Sequence, residues 1–204
     1  LREFLDDLLP FLHLLCNSSI TTGIIPSSQK RAIVTPALKK HGLDSDVLNN
    51  YRPISNLSFI SKITEKLVSV QLLKYLSGNG LLPGNQSGFR AGHSTETVLV
   101  RVLSDVYSAI DRGEVTLLAL LDVSAAFDSV DHDILLERLS TSFGIQGSAF
   151  SWLESFIRGR TQSVAMGGKR SAWRPIRFGV PQGSVLGPLL YVLFTADIPR
   201  IIQS

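Results

Sequence analysis

Val115-Thr116-Leu117-Leu118-Ala119-Leu120-Leu121-Asp122-Val123-Ser124-Ala125-Ala126-Phe127-Asp128 decides the reading of this chain. Its first half is an uncharged, apolar run of strand length, which predicts a strand buried on both faces. A carboxylate, Asp122, follows at the strand's end, and small polar residues then turn the chain. Carboxylate oxygens suit a hard cation such as Mg²⁺, which is commonly held by one or two carboxylates together with substrate phosphates. Read alone, the segment is also explained by Asp122 merely capping the following turn.

Two further stretches carry chemistry. Gly179-Val180-Pro181-Gln182-Gly183-Ser184-Val185-Leu186-Gly187-Pro188 is too rich in glycine and proline for a strand or helix interior. It predicts a shaped loop that a ligand can approach closely, opening a helix whose first position is Pro188. An ordinary turn remains the alternative. Upstream, Asn50-Tyr51-Arg52-Pro53-Ile54-Ser55-Asn56 restrains an arginine beside a proline. A guanidinium so placed can grip phosphate oxygens in bidentate fashion, although an exposed loop arginine would look the same.

The remaining pattern is mostly helical. Leu1, Phe4, Leu5, Leu8, Leu12 and Leu15 recur at helical spacing, with Pro10 an expected break or kink. Residues 58–76 predict a helix with Ile60, Ile63, Leu67, Val70 and Lys74 near one face. A clearer helix starts at the cap Ser94, carries Val98, Leu99, Val102, Leu103, Val106, Tyr107 and Ile110, and stops at Gly113. Short helices are expected around 134–142 and 149–158, with Asp131 and Asp133 as caps, and a last one over Leu189–Ile198. Ala32-Ile33-Val34 reads as a strand, and Gln162–Met166 with Trp173–Phe178 as a hairpin across Gly167-Gly168. The fold class is α+β, a small antiparallel sheet backed by helices.

Composition narrows the class. Hydrophobic residues make up 44% and charged residues 18% of 204, which describes a globular chain rather than a disordered one. Cys16, the single cysteine, permits no disulfide framework and reads as a small buried side chain. No stretch reads as a signal peptide or membrane span. The first residue is not Met, so the chain is expected to begin inside a longer reading frame or to be a processed piece. The net charge of +3 is unevenly spread. Asp122, Asp128, Asp131, Asp133 and Glu137 form an acidic island containing Arg138 alone as a cation, whereas Arg158, Arg160, Lys169, Arg170, Arg174, Arg177 and Arg200 follow it. Cation-binding carboxylates flanked by a basic surface suit a nucleic-acid enzyme; an ordinary solvated face is the alternative for the basic cluster. His93 reads as a hydrogen-bonded residue at a helix start.

Together the motifs resemble, in order, those of reverse transcriptases of non-LTR (LINE-type) retrotransposons. Tyr51-Arg52-Pro53-Ile54-Ser55, Asp122 with Ala126-Phe127-Asp128, and Gly179-Val180-Pro181-Gln182-Gly183-Ser184 carry the resemblance. Lys30-Arg31-Ala32-Ile33-Val34-Thr35-Pro36 and Gln86-Ser87-Gly88-Phe89-Arg90-Ala91-Gly92-His93-Ser94-Thr95 extend it, from about residue 20 onward. It implies a right-hand polymerase fold, with 1–114 a fingers-like part and 115–204 a partial palm. It also implies RNA-templated DNA synthesis by two-metal nucleotidyl transfer. Asp122 would bind Mg²⁺ (two ions in the complete site, Mn²⁺ substituting) with help from the Val123 carbonyl. Phe127 would exclude a ribose 2′-hydroxyl, and Arg52 would hold the triphosphate, with Lys39 or Lys40 assisting. Gln182 and Gly183 would line the nucleotide and template side. Implied partners are an RNA template, a DNA primer and deoxynucleoside triphosphates, in the nucleus and cytoplasm and not at a membrane.

This sequence departs from the family at two points. Gln29 stands where an aromatic is expected. No Ala-Asp-Asp, the second metal-binding motif, is present; Thr195-Ala196-Asp197-Ile198-Pro199 better matches an Ile-Asn-Asp-Leu-Pro stretch. The 204-residue polypeptide is therefore expected to lack activity by itself, and a non-catalytic nucleic-acid-binding remnant is the alternative reading.

Overall fold

The fold is given by a computed structural model that describes residues 4–198. Leu1, Pro199 and Arg200, which enter the readings above, lie outside the described residues. The elements run α1 (Leu5–Thr22), a 3₁₀ turn (Ser27–Lys30), β1 (Arg31–Leu38), β2 (Tyr51–Asn56), α2 (Phe59–Gly78) and α3 (Thr95–Asp111). Then follow α4 (His132–Thr141), α5 (Gly147–Ile157), β3 (Thr161–Met166), β4 (Lys169–Arg170), β5 (Arg174–Pro175) and α6 (Gly187–Phe194). This is an α+β architecture.

Local chemistry explains the helix ends. The Ser58 side chain accepts from the Ser61 N–H at the start of α2. Ser94 and Thr97 form a reciprocal capping box on α3, and the Asp131 carboxylate caps α4 through the Asp133 and Ile134 N–H groups. α1 continues across Pro10 instead of breaking. The carbonyl that Pro10 leaves without a helical donor belongs to exposed Asp6, where water can serve it.

The sheet is mixed. β1 lies between β2, antiparallel, and β3, parallel, with Arg31–Val34 paired to Thr161–Val164. β4 and β5 each pair antiparallel with β3. Gly167 and Gly168 both have positive φ, as a two-residue hairpin turn between twisted strands requires. The core lies mainly where α2, α4, α5 and α6 meet, around Leu72, Leu76, Leu135, Leu139, Leu153, Phe156 and Leu190. Trp152 stacks on Phe156, with ring centroids 5.7 Å apart, and its indole N–H donates to Ser19 Oγ on α1 at 3.0 Å.

Three expectations are corrected. Val115–Leu121 forms no strand, and its side chains are exposed. Among the described residues no neighbouring strand supplies the backbone partners that would bury it. On α2 the apolar positions Leu67 and Val70 face solvent, while Ser61, Thr64, Glu65 and Ser69 are buried beside Leu72 and Leu76. The inward stripe is polar because its groups find partners. Thr64 meets Cys16 at 3.4 Å, and Ser61 donates to Glu65 at 2.9 Å. Arg160 is removed from the basic surface: it is 1% exposed, with its guanidinium over the Phe156 ring and donating to the Phe156 carbonyl. α3 has its predicted limits, but none of its residues is buried.

Candidate active site

The glycine-rich loop over 179–187 joins the other two chemical motifs. On one side it meets the Ser124–Ser129 turn and the residue that follows. The Gly179 N–H donates to the Val130 carbonyl at 2.7 Å, and the Val180 N–H to the Phe127 carbonyl at 2.9 Å. Gly179 has φ +87, and a Cβ there would lie 3.0 Å from both Asp128 Cα and the Phe127 carbonyl oxygen. Buried His132 also holds this end, its Nε2 2.8 Å from the Gly179 carbonyl.

On its other side the loop meets β2. The buried Ser55 N–H donates to the Gln182 carbonyl at 2.7 Å. Gly183, at φ +113, brings its backbone so near that a Cβ would stand 2.9 Å from the Ser55 carbonyl oxygen. Gly183→Ala should therefore destabilise the fold by about 1–3 kcal/mol, through strain at a left-handed position and against backbone that cannot yield cheaply. Chemical denaturation checks this; an unchanged midpoint would mean that the loop moves off β2 without cost.

Arg52 lies on the same strand as Ser55, opposite Ala37 of β1, with its side chain exposed. Lys39 and Lys40 follow β1 directly and are also exposed. The Lys39 N–H donates to the Asn50 carbonyl at 2.8 Å, which keeps this end of the ribbon together. Phe127 is half-buried, its ring 5.5 Å from Tyr191 and 6.4 Å from Phe89. Backbone contacts thus bring Phe127, Gln182, Gly183 and the Arg52 strand into one framework.

Asp122 and Val123 stand apart from these bonds. Both are exposed, in chain without regular structure rather than at the end of a strand. The Asp122 carboxylate accepts from the Val123 N–H at 2.9 Å. It fits a hard divalent cation as one anionic oxygen ligand. Among the described residues, however, no cluster of three or more His, Cys, Asp or Glu side chains stands ready to complete a metal site. Partial burial raises the pKa of the Asp128 carboxyl, which lies in the turn against Gly179. Asp197 pairs with Arg138 at 2.6 Å.

Glu65 and His132 escaped the reading of the sequence, because they matter through long-range contacts to loop backbone. No local signal marks Glu65, which lies off the apolar face Ile60, Ile63, Leu67 and Val70 and among polar residues. The concave apolar space of about 380 Å³ between α1, α2 and α5 includes Ile20, Leu72 and Trp152 in its wall and is separate from this framework.

The family model described as reverse transcriptase (RNA-dependent DNA polymerase) matches residues 38–204. The RNA-directed DNA polymerase from the mobile element jockey of Drosophila melanogaster is 37% identical over 199 residues, covering 98% of this chain and 21% of that protein. The probable RNA-directed DNA polymerase from transposon BS of the same organism is 36% identical over 189 residues, 93% of this chain and 20% of that protein. The chain thus spans about a fifth of the length of these relatives. In fold it is similar to apo telomerase from Candida tropicalis truncated from its C-terminal domain. The TM-score is 0.58 at 16% identity, over 97% of this chain and 44% of that one.

Proposed function

We propose, from the premise that the chain belongs to the reverse transcriptase (RNA-dependent DNA polymerase) family, that it forms the nucleotide-binding framework of an RNA-directed DNA polymerase. The observation that carries this reading is the loop over 179–187, bonded to the Phe127 turn and to the strand bearing Arg52. A deoxynucleoside triphosphate would lie across that framework. Arg52, with Lys39 or Lys40, would attract its phosphates. Gln182 and Gly183 would offer backbone and amide to the base and template. Phe127 would press its ring against the sugar and leave no room for a 2′-hydroxyl. Asp122 would bring a carboxylate, and Val123 its carbonyl, to Mg²⁺. Bound Mg²⁺ would supply activation of the primer 3′-hydroxyl and stabilisation of the leaving pyrophosphate. The implied partners are an RNA template and a DNA primer.

A binding module without chemistry is the second reading. It draws on an exposed basic hairpin in which the Arg170 guanidinium lies 4.5 Å from the Trp173 ring centroid, with Arg31 of β1 at 5.5 Å from the same ring. Primer extension with purified protein from the full reading frame separates the two readings. In that assay Phe127→Ala should raise ribonucleotide incorporation relative to deoxynucleotide by about 10- to 100-fold, the range over which modest pocket contacts discriminate. An unchanged preference would remove Phe127 from the sugar-gating role.

A further inference from the structure

We infer that Glu65 of α2 is the positioning residue that sets the shape of the Gln182–Gly183 loop. Glu65 is fully buried in the middle of α2. One carboxylate oxygen, Oε2, accepts from two successive loop N–H groups, Val185 at 2.7 Å and Leu186 at 3.3 Å. The other, Oε1, accepts from the Ser61 hydroxyl at 2.9 Å. These donors lie 120 and 121 residues away in the chain, so the contact is tertiary and specific to this fold.

A buried carboxylate is costly unless its oxygens are satisfied. Here the satisfying groups are backbone N–H groups of the loop itself, just before α6. Ser184 Oγ accepts from the Gly187 N–H at 2.8 Å, closing the same turn from within. The loop is therefore clamped at three places: Phe127–Val130 at its start, Ser55 at Gln182, and Glu65 at Val185 and Leu186. Glu65 thereby ties the helix after β2 to the segment that presents Gln182 and Gly183, without reaching a substrate. Burial raises its pKa despite the hydrogen bonds and the charge of Arg160. A neutral amide in the same place would keep the geometry: its oxygen accepts from the loop and its NH₂ donates to Ser61.

The nucleotide consequence rests on the polymerase reading; the clamp itself does not. Glu65→Gln and Glu65→Met in the protein from the full reading frame separate acceptor chemistry from volume. Two readouts are needed: hydrogen exchange of the Val185 and Leu186 amides, and KM against kcat for deoxynucleotide addition. Glu65→Met should speed exchange at these two amides by about 10- to 100-fold, the size of losing hydrogen bonds to a charged acceptor. It should raise the nucleotide KM by a similar factor, with a smaller change in kcat. Glu65→Gln should restore both to near the parent values. Unchanged exchange in Glu65→Met overturns the proposal. So does faster exchange spread evenly over α4, α5 and α6, which would make Glu65 a general stability residue. Locally faster exchange with an unmoved KM overturns the nucleotide role and leaves the clamp. A parent protein inactive in extension, yet showing the local exchange pattern, counts against the polymerase reading alone.

Discussion

Primer extension is expected to fall by at least about 10³-fold when Asp122 is changed to Ala in the protein from the full reading frame. That is the scale of losing one charged group from a phosphoryl-transfer site, where positioning and charge stabilisation supply nearly all of the catalysis. The residue is exposed, and its carboxylate makes no ion pair among the described residues. The substitution should therefore leave the denaturation midpoint within about 0.5 kcal/mol of the parent. Activity and stability should separate cleanly. On the polymerase reading, the polypeptide of residues 1–204 alone should stay at background in Mg²⁺ or Mn²⁺, since its sequence carries no Ala-Asp-Asp segment to supply carboxylates opposite Asp122. Extension by that polypeptide, abolished by Asp122→Ala, would oblige the missing ligands to be found within it.

The largest loss of stability is expected from Trp152→Ala. Its side chain is 1% exposed, stacked on Phe156, and bonded to Ser19 of α1. Emptying such a site costs about 3–5 kcal/mol, from lost transfer energy and the cavity that remains. Ser19 Oγ would retain a partner in the Ile24 carbonyl, to which it donates at 2.7 Å. Urea unfolding should show a lower midpoint at an unchanged slope. A loss under about 1 kcal/mol would mean that α1 does not pack on α5 in solution.

Where local chemistry decides, the sequence was legible. Ser94, Asp131, Gly113, Pro188 and the Gly167-Gly168 pair mark boundaries through their own hydrogen bonds or φ angles, and the elements begin and end beside them. The three chemical motifs were legible as stretches, and their common framework came only with the fold. The bonds that unite them run from backbone to backbone, as between Ser55 and Gln182, and leave no periodic trace. Apolar pattern misled twice. Val115–Leu121 has a buried strand's composition but no strand beside it among the described residues. The inward face of α2 is polar, which could not be read locally because its partners, Cys16 and the Val185–Leu186 backbone, are remote in sequence. The parallel pairing of β1 with β3 was hidden for the same reason. A strand's own residues do not name its neighbour.

That parallel pairing sets a schedule for synthesis. Val34 of β1 is paired with Val164 of β3, 130 positions later. At about 5–20 residues per second, β1 waits roughly 6–26 s on the ribosome before its parallel neighbour has been made. Meanwhile β2 follows within two dozen residues and can form an antiparallel ribbon with β1 at once. The nascent chain thus holds a two-stranded ribbon with both edges open, alongside the bare apolar run over 115–121, until the second half arrives. Non-local pairing of this kind folds slowly, and open edges invite pairing with other chains. The interval before β3 emerges is when a chaperone would matter most to this protein.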